Sequence, residues 1–167
     1  EVKLNKVDVP LERTGDENAN PWEINWEGVE KAYASGIKVH LLCSPHNPLG
    51  RVYSKEELSK FVDLAAKHNV LIISNELHAP LTYKGVTFTP ILSLGEKARS
   101  VSIVVTAASK GWNIAGLKCA MIVTQDAALF ARLNEMPPAV HWRTSLLGAF
   151  ATAAAFFIAA ALANRSS

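Results

Sequence analysis

Three clusters of polar residues in this sequence each follow an apolar run, and each contains a side chain that could do chemistry. They are Asn47, the pair Asn75 and His78, and the pair Ser109 and Lys110. A lysine among small neighbours directly after a buried strand is expected to lose hydration, which favours the neutral, nucleophilic amine. The sequence therefore predicts a nucleophilic lysine accompanied by hydrogen-bonding side chains.

Taken singly, each cluster has an ordinary structural explanation. An asparagine in a proline-rich turn usually bonds its own backbone. A histidine just past a strand is more often structural than catalytic, and most lysines are solvated. What favours a site is that all three clusters follow strands, because ligands of open α/β sheets gather beyond the carboxyl ends of the strands.

The elements that must position these residues follow from apolar periodicity and turn signals. Ser54 and Glu57 form a capping box that opens a helix between two of the buried strands. Strand, helix and strand joined by short loops predict a parallel sheet. The predicted strands are Val2–Val9, Val39–Cys43, Val70–Ile73, Val101–Val105 and Cys119–Val123, with later helices over Asp126–Glu135 and from Trp142 onward.

Size and charge narrow the class of protein. The 167 residues suit one α/β domain, and 49% are hydrophobic against 19% charged, a globular balance. A net charge of +2 without a basic stripe argues against a nucleic-acid partner. No metal site is predicted. The first ten residues lack the order of a signal peptide, so a cytoplasmic location is expected.

Residues 146–163 are eighteen residues without a charge, and half of them are alanine. That length could span a bilayer, but alanine contributes little to membrane insertion. A membrane span is therefore the less favoured reading. We expect a helix buried between packed elements or against a second subunit.

Three motifs resemble those of a known family. Ser44–Gly50 (SPHNPLG) resembles the Asn-Pro-x-Gly motif of class I/II aminotransferases, which are fold-type-I enzymes that use pyridoxal 5'-phosphate (PLP). Three features are similar to the carbon-sulfur lyase branch of the family, the cystathionine β-lyase-like enzymes. They are the Pro-His pair of this motif, the block Ser74–Pro80 (SNELHAP) and the block Ser109–Lys118 (SKGWNIAGLK). The motifs occur in the family's order, and the likeness extends from about residue 7 to about residue 156.

The resemblance implies a fold and a role for each candidate residue. The fold would be part of an aspartate-aminotransferase-like large domain, a three-layer α/β/α arrangement with a mostly parallel sheet. Lys110 would form the Schiff base with PLP and move the Cα proton of an amino-acid substrate. The cofactor-binding residues would be Asn47 and His78 at the phenolic oxygen, Asn75 at the pyridine nitrogen, and Ser109 and Lys118 at the phosphate. A homodimer is also implied.

Two departures from the family pattern stand out. The family has an aspartate where this chain has Asn75, and an asparagine carries no charge to keep the pyridine nitrogen protonated. The stretches that usually flank this region, including an amide cradle for the phosphate and a small domain with a carboxylate-binding arginine, are not found in these 167 residues. We therefore expect a PLP-dependent carbon-sulfur β-lyase or aminotransferase domain. The alternative is a truncated or degenerate domain of the same fold without catalysis.

Overall fold

The computed structural model describes residues 4–14 and 21–163, and its centre is a four-stranded sheet. The strands are β1 (Glu12–Arg13), β2 (Trp22–Glu23), β3 (Val39–Cys43), β4 (Leu71–Asn75), β5 (Ser102–Thr106) and β6 (Met121–Val123). The helices are α1 (Trp26–Ala34), α2 (Lys55–His68), α3 (Glu96–Val101), α4 (Ala127–Asn134), α5 (Pro138–His141) and α6 (Leu146–Ala163). Short 3-10 turns cover Ala79–Leu81, Ile91–Leu94 and Ala115–Leu117.

The sheet has the order β3-β4-β5-β6 and is mostly parallel. Strands β3, β4 and β5 run in parallel, with Cys43 opposite Asn75 and Asn75 opposite Val105 at their carboxyl ends. Strand β6 pairs antiparallel to β5, so the chain turns back within the Lys110–Lys118 segment. The predicted α/β class with a mostly parallel sheet is confirmed. The three polar clusters lie at the same edge of this sheet, where β3, β4 and β5 end.

One face of the sheet carries the core. Because side chains alternate along a strand, Leu42, Ile72 and Val104 point to the same face. They form one buried cluster with side chains from three helices: Val29 and Tyr33 of α1, Leu58, Phe61, Val62 and Ala65 of α2, and Ala98 of α3. These helices are one of the two helical layers that a three-layer domain requires.

The opposite face is open at its β3 end. Leu41, on that face, is 75% exposed, and Val39 on the same strand is 45% exposed. At the other end of the face, Ile122 of β6 is 42% exposed. Strands of parallel sheets are usually covered on both faces, so this apolar surface lacks its usual covering layer among the described residues.

The helix signals in the sequence were read correctly where a capping residue marks them. Ser54 Oγ accepts from Glu57 N and Glu57 Oε2 accepts from Ser54 N, which is the predicted capping box of α2. Asp126 caps α4 through a bond from Leu129 N. Helix α2 ends at Asn69, a left-handed residue with φ 55°.

One predicted strand and the start of one predicted helix were wrong. Residues 4–9 of the predicted Val2–Val9 strand are not strand, and the first three residues lie outside the described part of the chain. Leu4 and Val7 are exposed there, so this alternation of apolar residues has no sheet to cover. The helix expected from Trp142 begins at Leu146, because Ser145 caps it.

Helix α6 occupies residues 146–163, as the apolar run predicted, but the described elements of this chain do not bury it on all sides. Burial against a second subunit, the other expectation, stays a prediction. Leu146, Phe150 and Phe157 are each more than two-thirds exposed, whereas Thr152 and Ala155 on the other side are buried. Across residues 4–14 and 21–163, no helix reaches the length and hydropathy of a transmembrane segment.

Candidate functional site

The loop after β3 presents Asn47. His46 N donates to the carbonyl of Arg51 (2.8 Å) and Gly50 N donates to the carbonyl of His46 (2.7 Å), so the loop closes on itself. Gly50 has φ 67°, a conformation that glycine adopts without strain. Asn47 N donates to Cys43 Sγ (3.4 Å), while its side chain is exposed. The loop therefore holds the Asn47 amide at the carboxyl end of β3.

Arg51 anchors this loop to the rest of the domain. Its guanidinium is buried, donating from Nε to the carbonyl of Trp22 (3.0 Å) and from Nη2 to Glu57 Oε1 (2.5 Å). It also lies over the ring of Tyr53, 4.7 Å from the centroid. Sequence reasoning missed Arg51, because an arginine after a turn glycine reads as a surface residue.

Asn75 is the last residue of β4, and its side chain is exposed. Its carbonyl oxygen accepts from Ser44 N (3.0 Å), which joins the ends of β3 and β4. Its side-chain Oδ1 accepts from Leu77 N (3.2 Å), an Asx turn that starts the next loop. The side-chain oxygen of Asn75, at the carboxyl end of β4, is thus already engaged in a hydrogen bond.

Asn47 and His78 line the same pocket of about 480 Å³ at this edge of the sheet. His78 is half-buried, and its Nδ1 is buried without a hydrogen-bond partner among the described residues. The same is true of Nδ1 of His46, which also lines the pocket. Burial, assisted by the nearby Arg51 charge, lowers the pKa of His46, which favours the uncharged imidazole.

Glu76 is a second residue that sequence reasoning did not single out. Its side chain is only 6% exposed, and its Oε1 accepts from Ser74 Oγ (3.1 Å) and from Ile91 N (3.0 Å). Burial raises its pKa, and the two hydrogen bonds oppose that rise. The signal available in the sequence was an acidic residue placed directly after a buried strand.

The segment after β5 carries Ser109 and Lys110. Ala107 and Ala108 are buried, Ser109 is half-buried and Lys110 is exposed. Trp112 N donates to the carbonyl of Ala108 (3.0 Å). The expected desolvation of the lysine is therefore not seen: the small residues before it are buried, but the described residues leave the amine in water.

A close approach places the lysine segment beside the His78 segment. A methyl group added at Gly111 would lie 2.7 Å from Cβ of Pro80. Contacts this short are essentially never made by real Cβ atoms, so only glycine fits at position 111. Lys110 thus precedes a residue that packs directly on the turn following His78.

Lys118 lies at the far end of the lysine segment. It adopts a left-handed conformation with φ 54°, and its side chain is exposed. Its carbonyl accepts from Ser145 N (3.4 Å), and the neighbouring Leu117 carbonyl accepts from Ser145 Oγ (2.5 Å). The residue is thereby tied to the start of α6, and Trp112 meets Phe156 of that helix with ring centroids 6.0 Å apart.

The structure unites some of the predicted site residues more closely than others. Asn47 and His78 share the pocket, and the Gly111–Pro80 contact brings the lysine segment next to it. The lining of that pocket does not include the other four predicted residues: Asn75, Ser109, Lys110 and Lys118. All six lie at or just after the carboxyl ends of the parallel strands or in the segment between β5 and β6.

Comparisons with known proteins show which family the chain resembles. The sequence profile of aminotransferase class I and II matches residues 3–163. A cystathionine beta-lyase of Corynebacterium glutamicum is 40% identical over 129 residues, which are 77% of this chain and 35% of that protein.

Two solved structures are also similar. Cystalysin from Treponema denticola, which contains a pyridoxal 5'-phosphate cofactor, matches with a TM-score of 0.76 and 29% identity, over 87% of this chain and 36% of that one. The PLP-bound C-S lyase from Staphylococcus hominis matches with a TM-score of 0.74 and 31% identity, over 90% of this chain and 37% of that one.

The chain spans about a third of the length of these relatives. The profile match covers nearly all of its 167 residues, and the α/β fold with its mostly parallel sheet agrees with it. The chain belongs to the aminotransferase class I and II family.

Proposed function

We propose that this chain is the lysine-bearing part of a PLP-dependent enzyme that acts on amino acids, a carbon-sulfur β-lyase or an aminotransferase. The observation that carries the proposal is the pocket shared by Asn47 and His78, with the Lys110 segment packed beside it through Gly111 and Pro80. Relatives named as cystathionine beta-lyase and as PLP-bound C-S lyase support it.

The residues present fit PLP. The amide of Asn47 and the Nδ1 of His78, which has no hydrogen-bond partner in the described part of the chain, are polar groups that could meet the phenolic oxygen of a pyridoxal ring. Ser109 offers a hydroxyl and Lys118 a charge for the phosphate, although a lysine lacks the bidentate fork of an arginine. When bound, PLP supplies an electron sink for the bonding electrons released at the substrate's Cα.

Each of the chain's site residues then has a separate role. Lys110 Nζ would be the amine that holds the cofactor, and the same amine would move the Cα proton of the substrate. Asn47 and His78, which line the same pocket, would orient the ring. The bound cofactor would support either elimination of a sulfur substituent from Cβ or transamination. The Pro45-His46 and Glu76-Leu77-His78 details favour elimination.

Asn75 supports a second candidate, a non-catalytic domain of the same fold. It supplies no charge at the position where the family has an aspartate. For the catalytic candidate we propose a homodimer, since family active sites draw residues from both subunits. We also propose that this enzyme lies in the cytoplasm.

The two candidates are separated by mapping the lysine that binds PLP. The purified chain is incubated with PLP, reduced with borohydride and digested, and the modified peptides are quantified. The enzyme proposal predicts labelling concentrated at Lys110 and competed by an amino acid. Equal labelling at exposed lysines such as Lys84 would favour the non-catalytic domain.

A further inference from the structure

The segment between residues 77 and 90 forms one wall of the pocket. Five of the twelve lining residues come from it: His78, Leu81, Thr82, Tyr83 and Val86. Apart from the 3-10 turn at Ala79–Leu81 it has no regular secondary structure, and Tyr83 is 86% exposed. The position of this wall therefore depends on how the two ends of the segment are held.

Glu76 holds both ends. At the near end, its backbone N donates to the carbonyl of Val105 in β5 (2.9 Å) and its carbonyl accepts from Ala79 N (3.1 Å). At the far end, its side-chain Oε1 accepts from Ile91 N across fifteen residues (3.0 Å). Ser74 Oγ donates to the same oxygen (3.1 Å), which fixes the carboxylate against the end of β4.

The same segment also supports the lysine. Pro80 lies where a methyl group at Gly111 would clash at 2.7 Å, so any displacement of residues 77–81 changes the surface on which the residue after Lys110 rests. Glu76 is buried to 6% exposure and directly follows Asn75. Glu76 is not itself one of the residues that line the pocket.

We propose that Glu76 is a positioning residue that clamps the 77–90 segment, and thereby sets His78 and supports the Lys110 segment from a buried site. The link to catalysis rests on the proposed function. The clamp itself is a property of the chain without cofactor. The two can therefore fail separately.

Amide hydrogen exchange of the purified chain tests the clamp directly. Glu76→Ala is expected to reduce the protection of the Ile91 amide about tenfold or more, because that buried donor loses its acceptor. Amides of β4 should keep their protection. Glu76→Gln, which retains an acceptor oxygen, should restore Ile91 protection, and the exposed-acid control Glu96→Ala should leave it unchanged.

Two further readouts report on the wall. In Glu76→Ala, trypsin should cleave after the exposed Lys84 about tenfold faster, relative to cleavage in α2, and the His78 ring signals should shift in the proton NMR spectrum. Neither change is expected in Glu76→Gln. An unchanged Ile91 amide in Glu76→Ala would overturn the proposal, as would an equal loss of protection at Ile91 and throughout β4.

If Glu76→Ala does not fold, a milder pair of variants answers the question. Ser74→Ala removes one donor to the carboxylate and should lower Ile91 protection several-fold. Ser93→Ala removes a hydroxyl that bonds the carbonyl of Pro90 nearby and does not touch Glu76. Equal effects of the two serine variants on Ile91 would contradict the clamp.

Discussion

At the scale of single residues, the polar side chains at the strand ends could be recognised from the sequence, but their environments could not. Asn47, Asn75, His78 and Lys110 follow apolar runs that are visible by inspection. The exposure of Lys110, the buried Arg51 and the buried Glu76 depend on contacts with distant residues, such as the Ile91 amide. Sequence patterns therefore locate candidate groups without giving the solvation that decides their chemistry.

The charge missing at position 75 gives the first prediction. Asn75→Asp should increase PLP-dependent exchange of a substrate's Cα proton with solvent deuterium by roughly tenfold, because a carboxylate keeps the pyridine nitrogen protonated. Proton NMR of the amino acid at saturating PLP measures the rate. An equal or slower rate in the variant would remove Asn75 from the account of this site.

His40 gives a prediction about acid stability. It is half-buried and bonded through Nδ1 to the Tyr33 hydroxyl (2.7 Å), and burial lowers its pKa from 6.5 to about 4. Between those values the unfolded chain binds a proton that the folded chain does not, so the stability that His40 contributes is lost as the pH falls.

We expect the wild-type free energy of unfolding to fall by about 1–2 kcal/mol from this group between pH 7 and pH 5. Glu76, whose pKa is raised, acts in the opposite direction, so the comparison is made between variants. Denaturant titrations should show a smaller pH dependence for His40→Gln than for the wild type. His141→Gln, an exposed control, should behave as the wild type does.

At the scale of elements, the continuous apolar runs of β3, β4 and β5 were predicted to within about two residues at each end. These strands are buried on the core face, so hydrophobicity marks them clearly. The antiparallel direction of β6 could not be predicted, because it depends on how tightly the Lys110–Lys118 segment turns. The prediction of a strand over Val2–Val9 was wrong, because an alternation of apolar and polar residues does not show whether a neighbouring strand is available for pairing.

The junction between the lysine segment and α6 gives a prediction at this scale. A methyl group at Gly148 would lie 2.1 Å from the carbonyl oxygen of Leu117, so Gly148→Ala should push α6 away from Lys118. We expect a loss of about 2 kcal/mol or more in the free energy of unfolding, measured by denaturant titration. Gly116→Ala, where nothing lies within 4 Å, is the matched control.

At the scale of the whole molecule, residues 4–14 and 21–163 place helices α1, α2 and α3 on one face of the sheet and leave the other face partly open. Leu41 at 75% exposure and the outer side of α6 present apolar surface to solvent. Surfaces of this kind usually mark an interaction site or cause association. The sequence shows which residues are apolar but not how exposed they are, because exposure depends on contacts with elements outside these apolar runs.

That open face predicts self-association. Leu41→Lys should reduce the associated fraction in sedimentation velocity with little change in the free energy of unfolding, since the side chain is already in water. Leu42→Lys, one residue along but 3% exposed, should destabilise the fold strongly. Unchanged association in Leu41→Lys would show that the sheet face is not the surface involved.

The central claim is that Lys110 is the amine that holds PLP, and a PLP titration followed by visible absorbance tests it most directly. The account predicts a saturable band in the wild type and in Lys84→Ala, an exposed-lysine control, and its loss in Lys110→Ala. A band of the same intensity and affinity in Lys110→Ala, or no saturable band in the wild type, would contradict it.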